Sequence, residues 1–148
     1  MTLYLEDFKP GDAHDFPGRY TFTREGIVGF ALQYDPQPFH VGEEAAARSI
    51  YGGLIASGWQ TVAVTFRLAV DGLINRVASM GSPGVDEIRW LKPVRPGDTV
   101  RVRAEVLEVR PSQSKPDRGL VRVRYETSNQ RGEVVLTMIG MGLFARRE

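Results

Sequence analysis

Two segments in the second half of the chain alternate apolar and polar residues, over 100–106 and over 121–127, with arginines on the polar side. A period of two is typical of a β-strand that buries one face and exposes the other. Residues 85–91 and 133–144 also predict strands, and residues 129–132 predict a hairpin turn before the last strand. The alternation slips at Leu107, which predicts a β-bulge. These patterns together predict an antiparallel sheet.

A long apolar helix is predicted before these strands. Residues from Ala56 to Asn75 are apolar almost all round the helix until Arg67, which is typical of a helix enclosed by other elements. The uncharged stretch from Ser49 to Phe66 contains glycines, threonines and a glutamine, so it is too polar for a membrane span. We therefore predict one α+β domain over residues 1–148, with an antiparallel sheet wrapped around this central helix.

Two shorter helices are predicted upstream. Thr23 is a suitable N-cap for a helix that begins at Arg24, and this helix must end before Pro36 because proline disfavours helical backbone in the preceding residue. Residues 42–48 predict a short helix with acidic residues in its first turn. The loop between these two helices carries the residues that matter most for function.

That loop reads Asp35-Pro36-Gln37-Pro38-Phe39-His40 and places a carboxylate five residues before an imidazole. Its two prolines predict a segment that is not helical. Five extended residues would separate Asp35 from His40 by roughly 16 Å, so the loop must bend if the two side chains are to meet. A bend stiffened by prolines positions side chains at a low entropic cost. We therefore predict that Asp35 and His40 lie around one water molecule.

Three glycines lie just before and at the start of the predicted central helix. We interpret Gly52 and Gly53 as residues that redirect the chain rather than as ligands. Gly58 falls inside the helical pattern, where glycine costs about 1 kcal/mol relative to alanine, so it indicates the close approach of another group. The N-terminus of a buried helix is a suitable place for an anionic oxygen.

Composition narrows the function classes. A net charge of +1 gives no reason to expect nucleic acid or a membrane surface as a partner. The chain has no cysteine, which excludes disulfides and thiolate catalysis, and its two histidines are too few for a multi-histidine metal site within one chain. The N-terminal residues lack the basic start and apolar run of a signal peptide, so we expect a cytoplasmic protein.

Four motifs together resemble those of the MaoC-like dehydratases, which are hotdog-fold proteins that include the (R)-specific enoyl-CoA hydratases. The motifs are Phe8-Lys9-Pro10-Gly11-Asp12, the Asp35–His40 loop, Gly52-Gly53-Leu54-Ile55-Ala56-Ser57-Gly58 and Lys92-Pro93-Val94-Arg95-Pro96-Gly97-Asp98. The resemblance runs from about Phe8 to Phe144. It implies the hotdog fold, an acyl-CoA thioester as substrate, no cofactor beyond the coenzyme A of that substrate, and a homodimer with the acyl chain between subunits.

The resemblance also implies roles for single residues. Asp35 and His40 match the dyad that activates the water added to a trans-2-enoyl thioester, giving an (R)-3-hydroxyacyl product. Gly58 matches the glycine whose backbone N–H binds the thioester carbonyl oxygen. Gln37 stands where the family commonly has asparagine, and Ser57 where it commonly has histidine. These two departures bear on the acyl specificity and on the support of the dyad.

Three residues are predicted to contact the substrate, namely Gln37, Ser57 and Trp59. Ser57 could instead cap the central helix, and Trp59 could belong first to the core. The arginines on the polar side of the sheet are typical of a solvated face, although some of them, or Lys115 and Arg118, could meet the phosphates of coenzyme A. Those arginines are Arg101, Arg103, Arg122 and Arg124.

Hydration of a double bond conjugated with a thioester needs three things. Water must lose a proton as it attacks Cβ, Cα must gain a proton, and the carbonyl oxygen must be stabilised as enolate charge develops. In our hypothesis Asp35 takes the proton from water, and His40 holds that water and exchanges the proton with Cα. The sequence leaves open which residue performs which step.

Other functions remain open at this point. A thioesterase on the same fold needs one carboxylate to direct water at the carbonyl carbon, and it leaves His40 without a role. A non-catalytic acyl-thioester-binding protein needs neither Asp35 nor His40. Taken singly, Asp35 could be a turn residue before proline, and His40 could be a structural histidine.

Overall fold

Six strands, four helices and two short 3₁₀ turns make up the fold, in a computed structural model that describes the whole chain, Met1–Glu148. The strands are β1 (Ala13–Asp15), β2 (Tyr20–Thr21), β3 (Val85–Trp90), β4 (Thr99–Pro111), β5 (Arg118–Ser128) and β6 (Val134–Ala145). The helices are α1 (Arg24–Tyr34), α2 (Pro38–Val41), α3 (Glu43–Ala47) and α4 (Gly58–Gly72), and the 3₁₀ turns are Leu5–Asp7 and Ile74–Arg76.

The strands form an antiparallel sheet in the order β1-β4-β5-β6-β3, and β2 adds a second short pairing to β4. Val102 lies opposite Thr127 in the β4–β5 pair, and Tyr125 lies opposite Met138 in the β5–β6 pair. The register of β4 shifts between Val106 and Glu108, which confirms the predicted bulge. The predicted strands and the hairpin before β6 are also confirmed.

Helix α4 packs on the inner face of this sheet. Its residues Val64, Leu68 and Ala69 share one buried core with Val102 and Val123 from the strands. Burial alternates residue by residue along β5, because only one side of the strand faces the helix. The prediction of an α+β domain with a sheet around a central helix is confirmed.

The limits and the surroundings of α4 differ from the prediction. The helix begins at Gly58 and ends at Gly72, inside the predicted range, and a 3₁₀ turn takes up its last residues. Trp59 is 55% exposed and Phe66 is 44% exposed, so the prediction that the helix is enclosed almost all round is wrong within a single chain. One side of α4 lies in the core, and the other side exposes the aromatic rings of Trp59 and Phe66.

The loop after α1 is partly helical, so the prediction that the whole segment is non-helical is wrong. Pro38 opens α2, a single turn that contains His40. Proline is tolerated at the first helical position because its missing N–H has no intrahelical partner there. The expected end of α1 before Pro36 and its cap are confirmed, since Thr23 accepts a hydrogen bond of 3.0 Å from the Gly26 N–H.

The outer face of the sheet is polar, as predicted. Arg103 pairs with Asp15 at 2.9 Å, and Arg124 pairs with Glu126 at 3.0 Å. Exposed pairs of this kind contribute little to stability, typically about 0–1 kcal/mol each, and they keep the face solvated. No helix is both long enough and apolar enough to cross a bilayer.

Candidate active site

Asp35 and His40 come together at the mouth of a cleft. Asp35 is the C-cap of α1, and the short α2 turn carries His40 back towards it. Asp35 Oδ2 and His40 Nε2 are 3.3 Å apart. The histidine side chain is 5% exposed and the aspartate side chain 16% exposed, so the pair is shielded but reachable.

The other ring nitrogen of His40 is fixed by the main chain. Nδ1 lies 2.7 Å from the carbonyl oxygen of Ile55. Because a carbonyl oxygen only accepts hydrogen bonds, Nδ1 must carry a proton. When the ring is neutral, Nε2 therefore holds the free lone pair, and Nε2 is the atom that faces Asp35.

Asp35 is surrounded by donors. The Gln37 amide donates to Oδ1 at 2.6 Å, and the Ser57 hydroxyl donates to Oδ2 at 2.7 Å. Burial by itself raises the pKa of Asp35, but the hydrogen bonds from Gln37 and Ser57, together with the charge of His40, outweigh it and hold the pKa below its ordinary value. Asp35 is therefore an ionised acceptor at neutral pH.

An extended segment, Leu54 to Ser57, connects the dyad to α4. The Ile55 N–H donates to the Phe39 carbonyl at 3.2 Å, and the Ala56 N–H donates to the Val94 carbonyl at 2.8 Å. The segment is thus held between α2 on one side and the chain after β3 on the other.

The turn before this segment is also held. Arg95 donates to the Tyr51 carbonyl at 2.6 Å, and the Asp98 carboxylate accepts from the Arg95 N–H at 2.9 Å. Gly52 has a φ of +66°, a conformation that favours glycine, so its interpretation as a residue that redirects the chain is confirmed. The segment Lys92–Asp98 after β3 therefore holds in place the turn and the extended segment that precede α4.

Gly58 is the first residue of α4, and its N–H donates to no acceptor in the chain. A Cβ at this position would overlap the Trp90 indole, whose pyrrole part lies against the glycine. The close approach expected at Gly58 is therefore made, within the chain, by Trp90. The free Gly58 amide is at the positive end of α4, where the helix dipole favours an anionic oxygen.

The cleft has a volume of about 430 Å³. Asp35, His40 and Gly58 all line it, as do Gln37 and Trp59. Trp59 and Trp90 meet edge to face, with 5.2 Å between ring centroids. The remaining lining residues are mostly apolar: Phe39, Tyr51, Ile55, Ala56, Thr61, Leu91, Lys92, Pro93, Val94 and Val135. This combination suits an acyl group beside a small polar centre.

Ser57 stands apart from the other predicted contact residues. It is fully buried and does not line the cleft, and its hydroxyl both caps α4 and bonds Asp35. The substrate-contact role of Gln37, Ser57 and Trp59 stays a prediction. Lys115 and Arg118, the other residues considered for coenzyme A, do not line this cleft either.

Three features of the site were missed by the sequence reasoning, and the first is the hydrogen bond from Ser57 to Asp35. The Ile55 carbonyl has no side-chain signature, and nothing local connects it with His40. Trp90 lies within a predicted strand, and only Gly58 itself indicated that another group would approach it closely.

Known proteins resemble the chain over nearly its whole length. The MaoC like domain family matches residues 7–130. A MaoC-like dehydratase of known structure from Rhodospirillum rubrum is 44% identical, with a TM-score of 0.87 over 99% of both chains. The 3-hydroxybutyryl-CoA dehydratase of Methylorubrum extorquens is 32% identical over 120 residues, which are 76% of this chain and 69% of that protein.

The fold is also found in a more distant structure. A Mycobacterium tuberculosis protein with a double hotdog fold is 18% identical with a TM-score of 0.79, and the match covers 99% of this chain and 45% of that one. The architecture is therefore the hotdog fold, as the motifs predicted. With the family match across most of its length, this chain belongs to the MaoC-like dehydratase family.

Proposed function

We propose that this protein adds water to the double bond of a trans-2-enoyl-CoA thioester, or removes it in reverse, with an (R)-3-hydroxyacyl-CoA as the hydrated product. The observation that carries the proposal is the convergence of Asp35, His40 and the free Gly58 N–H on one cleft. The sequence similarity to a 3-hydroxybutyryl-CoA dehydratase supports it. Coenzyme A is part of the substrate, and the reaction needs no further cofactor.

The hydrogen bonds favour His40 as the group that moves the proton. Neutral His40, protonated on Nδ1, presents the lone pair of Nε2 to a water molecule. Nε2 takes a proton from the water as its oxygen bonds to Cβ, and the π electrons move towards the carbonyl. The resulting imidazolium then gives its proton to Cα. This assignment gives His40 the step that the sequence-based hypothesis gave to Asp35.

Asp35 holds the water and stabilises the imidazolium in this scheme. Its carboxylate already accepts hydrogen bonds from Gln37 and Ser57, and its lowered pKa makes it a weak base. A carboxylate beside a proton-carrying histidine stabilises the charged form that appears during the reaction. The Gly58 N–H, with the dipole of α4 behind it, binds the carbonyl oxygen as enolate charge develops.

The two alternatives make different products. A thioesterase would direct water to the carbonyl carbon and release free coenzyme A, and it would leave the fixed Nδ1–H of His40 without a purpose. A non-catalytic binder would retain the acyl-CoA unchanged. Neither explains why a histidine whose Nδ1 is fixed by a main-chain carbonyl turns its Nε2 towards an ionised aspartate in the cleft.

Incubation with crotonyl-CoA tests the proposal. We expect the enoyl absorbance to fall without the appearance of free thiol, and the product to be the (R)-3-hydroxy isomer on chiral analysis. Release of thiol would contradict hydration in favour of hydrolysis. Binding of a panel of enoyl-CoA chain lengths without turnover of any of them would contradict catalysis altogether.

We also propose a homodimer in which two copies pair through β3. This strand lies at the end of the sheet and is hydrogen-bonded only to β6. An unpaired edge is commonly covered by another strand, and exposed apolar residues cluster at this one. They are Val85, Trp90 and Leu91, which are 46–52% exposed.

Sedimentation at several protein concentrations measures this association. We expect twice the chain mass for the natural protein, and a shift towards the monomer when Val85→Glu places a charge on the β3 edge. Ala13→Glu, which adds the same charge to β1 at the opposite edge of the sheet, is the matched control and should leave the mass unchanged. A monomer at every concentration would contradict the proposed dimer.

A further inference from the structure

Ser57 joins the dyad to the helix that presents the Gly58 amide. It is the N-cap of α4, where its Oγ accepts from the Trp59 N–H at 3.3 Å. The same hydroxyl lies 2.7 Å from Asp35 Oδ2. Because a hydroxyl has one proton and the cap uses Oγ as an acceptor, that proton is free for the carboxylate. One side chain therefore performs both tasks at once.

The oxygen that Ser57 holds is the one that faces His40. Oδ2 accepts from Ser57 and lies 3.3 Å from His40 Nε2, while Oδ1 is occupied by Gln37. Gln37 is exposed, whereas Ser57 has no exposed surface, so the serine bond is the one shielded from exchange with water. A bond of this kind to an ionised group is stronger than a neutral one.

The position of Ser57 in the chain adds a second constraint. Gly58 follows it directly, so the Asp35–Ser57 bond fixes the dyad relative to the amide expected to bind the carbonyl oxygen. The substrate of a hydratase must place Cβ at the water and its carbonyl oxygen at that amide simultaneously. The other hydrogen bonds from α2 to the extended segment before α4 go to Ile55, two residues before Ser57: its N–H donates to the Phe39 carbonyl, and its carbonyl oxygen accepts from His40 Nδ1.

We propose that Ser57 is a positioning residue, whose hydrogen bond to Asp35 sets the distance between the water-activating dyad and the Gly58 amide. The proposal rests on the proposed hydratase function. It assigns the serine hydroxyl to Asp35 rather than to the substrate. His40, from α2, is the titratable group that faces Asp35, and Gln37 and Ser57 are its uncharged donors.

The two roles of the Ser57 hydroxyl, as the cap of α4 and as a donor to Asp35, can be separated by a substitution that removes the hydroxyl but destabilises the helix little. Glycine replaces serine at an N-cap at a small cost, so Ser57→Gly removes the bond to Asp35 while α4 keeps most of its stability. Thr23→Gly is the matched control, because Thr23 caps α1 in the same way and its hydroxyl is bonded to the Gly26 N–H rather than to the dyad. Ser57→Thr keeps a hydroxyl and is the conservative variant.

The first readout is the titration of Asp35 followed by ¹³C NMR of protein labelled at the aspartate carboxyl, with the signal assigned by its loss in Asp35→Asn. We expect Ser57→Gly to raise the midpoint of the Asp35 titration by about one pH unit, because a hydrogen bond to the charged form is lost. Thr23→Gly should leave the midpoint where it is, and Ser57→Thr should restore it. An unchanged midpoint in Ser57→Gly would overturn the proposal.

The second readout is hydration of crotonyl-CoA. We expect kcat for Ser57→Gly to fall about tenfold or more with a smaller change in KM, since the alignment of dyad and amide acts on the transition state. Thr23→Gly should keep the natural kcat. Natural kcat in Ser57→Gly would overturn the positioning role. If the natural protein itself hydrates nothing, the proposed function fails, and the NMR titration still tests whether Ser57 is hydrogen-bonded to the ionised Asp35.

Discussion

His40 Nε2 and Asp35 Oδ2 lie 3.3 Å apart, although one residue is in α2 and the other caps α1. Pro38 starts the α2 turn that closes this gap, and the Ile55 carbonyl fixes the far side of the imidazole. The proximity thus depends on both a local turn and a contact with a remote segment.

Gly58→Ala should damage both stability and activity. The added Cβ overlaps the Trp90 indole, and overpacking of this kind typically costs about 1–3 kcal/mol. Movement of the indole or of the first turn of α4 should also displace the free amide and lower kcat. Urea unfolding and crotonyl-CoA turnover measure the two effects.

Gly29→Ala is the control for this substitution. Gly29 lies in α1, and a Cβ there meets nothing within 4 Å, so alanine should stabilise the protein by about 0.5–1 kcal/mol through its helix propensity. A double variant with Trp90→Ala should recover part of the stability lost in Gly58→Ala. If Gly58→Ala were as stable and as active as the natural protein, the close contact with Trp90 would have no consequence.

The buried hydroxyl pair of Thr65 and Thr127 should behave as a coupled unit. Thr65 Oγ1 lies 2.6 Å from Thr127 Oγ1 and donates to the Thr61 carbonyl at 2.8 Å, and both side chains are fully buried. Thr65→Val leaves the buried Thr127 hydroxyl without a partner and should cost roughly 1–3 kcal/mol, whereas Thr127→Val leaves Thr65 bonded to the Thr61 carbonyl and should cost less. The double valine variant should cost less than the sum of the two single variants.

The exposed pair of Thr21 and Thr99 is the matched control, because its hydroxyls are also hydrogen-bonded, at 2.8 Å, but are reached by water. Valine at Thr99 should change the free energy of unfolding by less than about 0.5 kcal/mol. Additive effects at Thr65 and Thr127 would show that their hydroxyls are not coupled.

The stability contributed by Glu133 should depend on pH. Its carboxylate accepts from Lys92 at 2.6 Å, from Asn129 at 2.9 Å and from Arg131 at 2.8 Å, and these bonds lower its pKa from 4.5 to about 2. Because the folded-state pKa is lowered, the contribution is fully present above 4.5 and is lost as the pH falls towards 2.

Urea unfolding of Glu133→Gln across this range measures the effect. The variant should be less stable than the natural protein at neutral pH, and the difference should shrink as the solution is acidified below 4.5. Glu44→Gln is the control, because the Glu44 side chain is 87% exposed and pairs only with Arg48. A difference for Glu133→Gln that stays constant with pH would contradict the assignment.

The sequence predicted the features that depend on local patterns. Strict alternation marks β4 and β5, the slip at Leu107 marks the bulge, and Thr23 marks the start of α1, since each signal lies within the element itself. The single turn of α2 was missed because two prolines argue against a helix. A proline is nevertheless tolerated at the first position of a helix, and Pro38 occupies that position in α2.

The contacts that complete the site lie outside the reach of such patterns. His40 meets the carbonyl of Ile55, and Asp35 meets Ser57, across 15 and 22 residues of chain. Trp90 reaches Gly58 from a strand at the edge of the sheet. A main-chain carbonyl has no residue type that identifies it in a sequence, and side chains as distant in the chain as Ser57 and Trp90 show no local pattern that connects them with the site. The tertiary structure is therefore needed to find these partners. The residue types of the dyad could be predicted, but the arrangement of its supports could not.

The most direct measurement compares crotonyl-CoA hydration by the natural protein with that by Asp35→Asn and His40→Gln. We expect each variant to lose about 10²–10⁴-fold in kcat, because His40→Gln removes the group that transfers the proton and Asp35→Asn removes the carboxylate that holds the water and stabilises the imidazolium. Asp71→Asn and His14→Gln change the same residue types outside the cleft and should keep natural activity. The enoyl absorbance should fall without thiol release in the natural protein and should hardly change in the two dyad variants. Natural rates of hydration in either dyad variant would contradict the proposed mechanism.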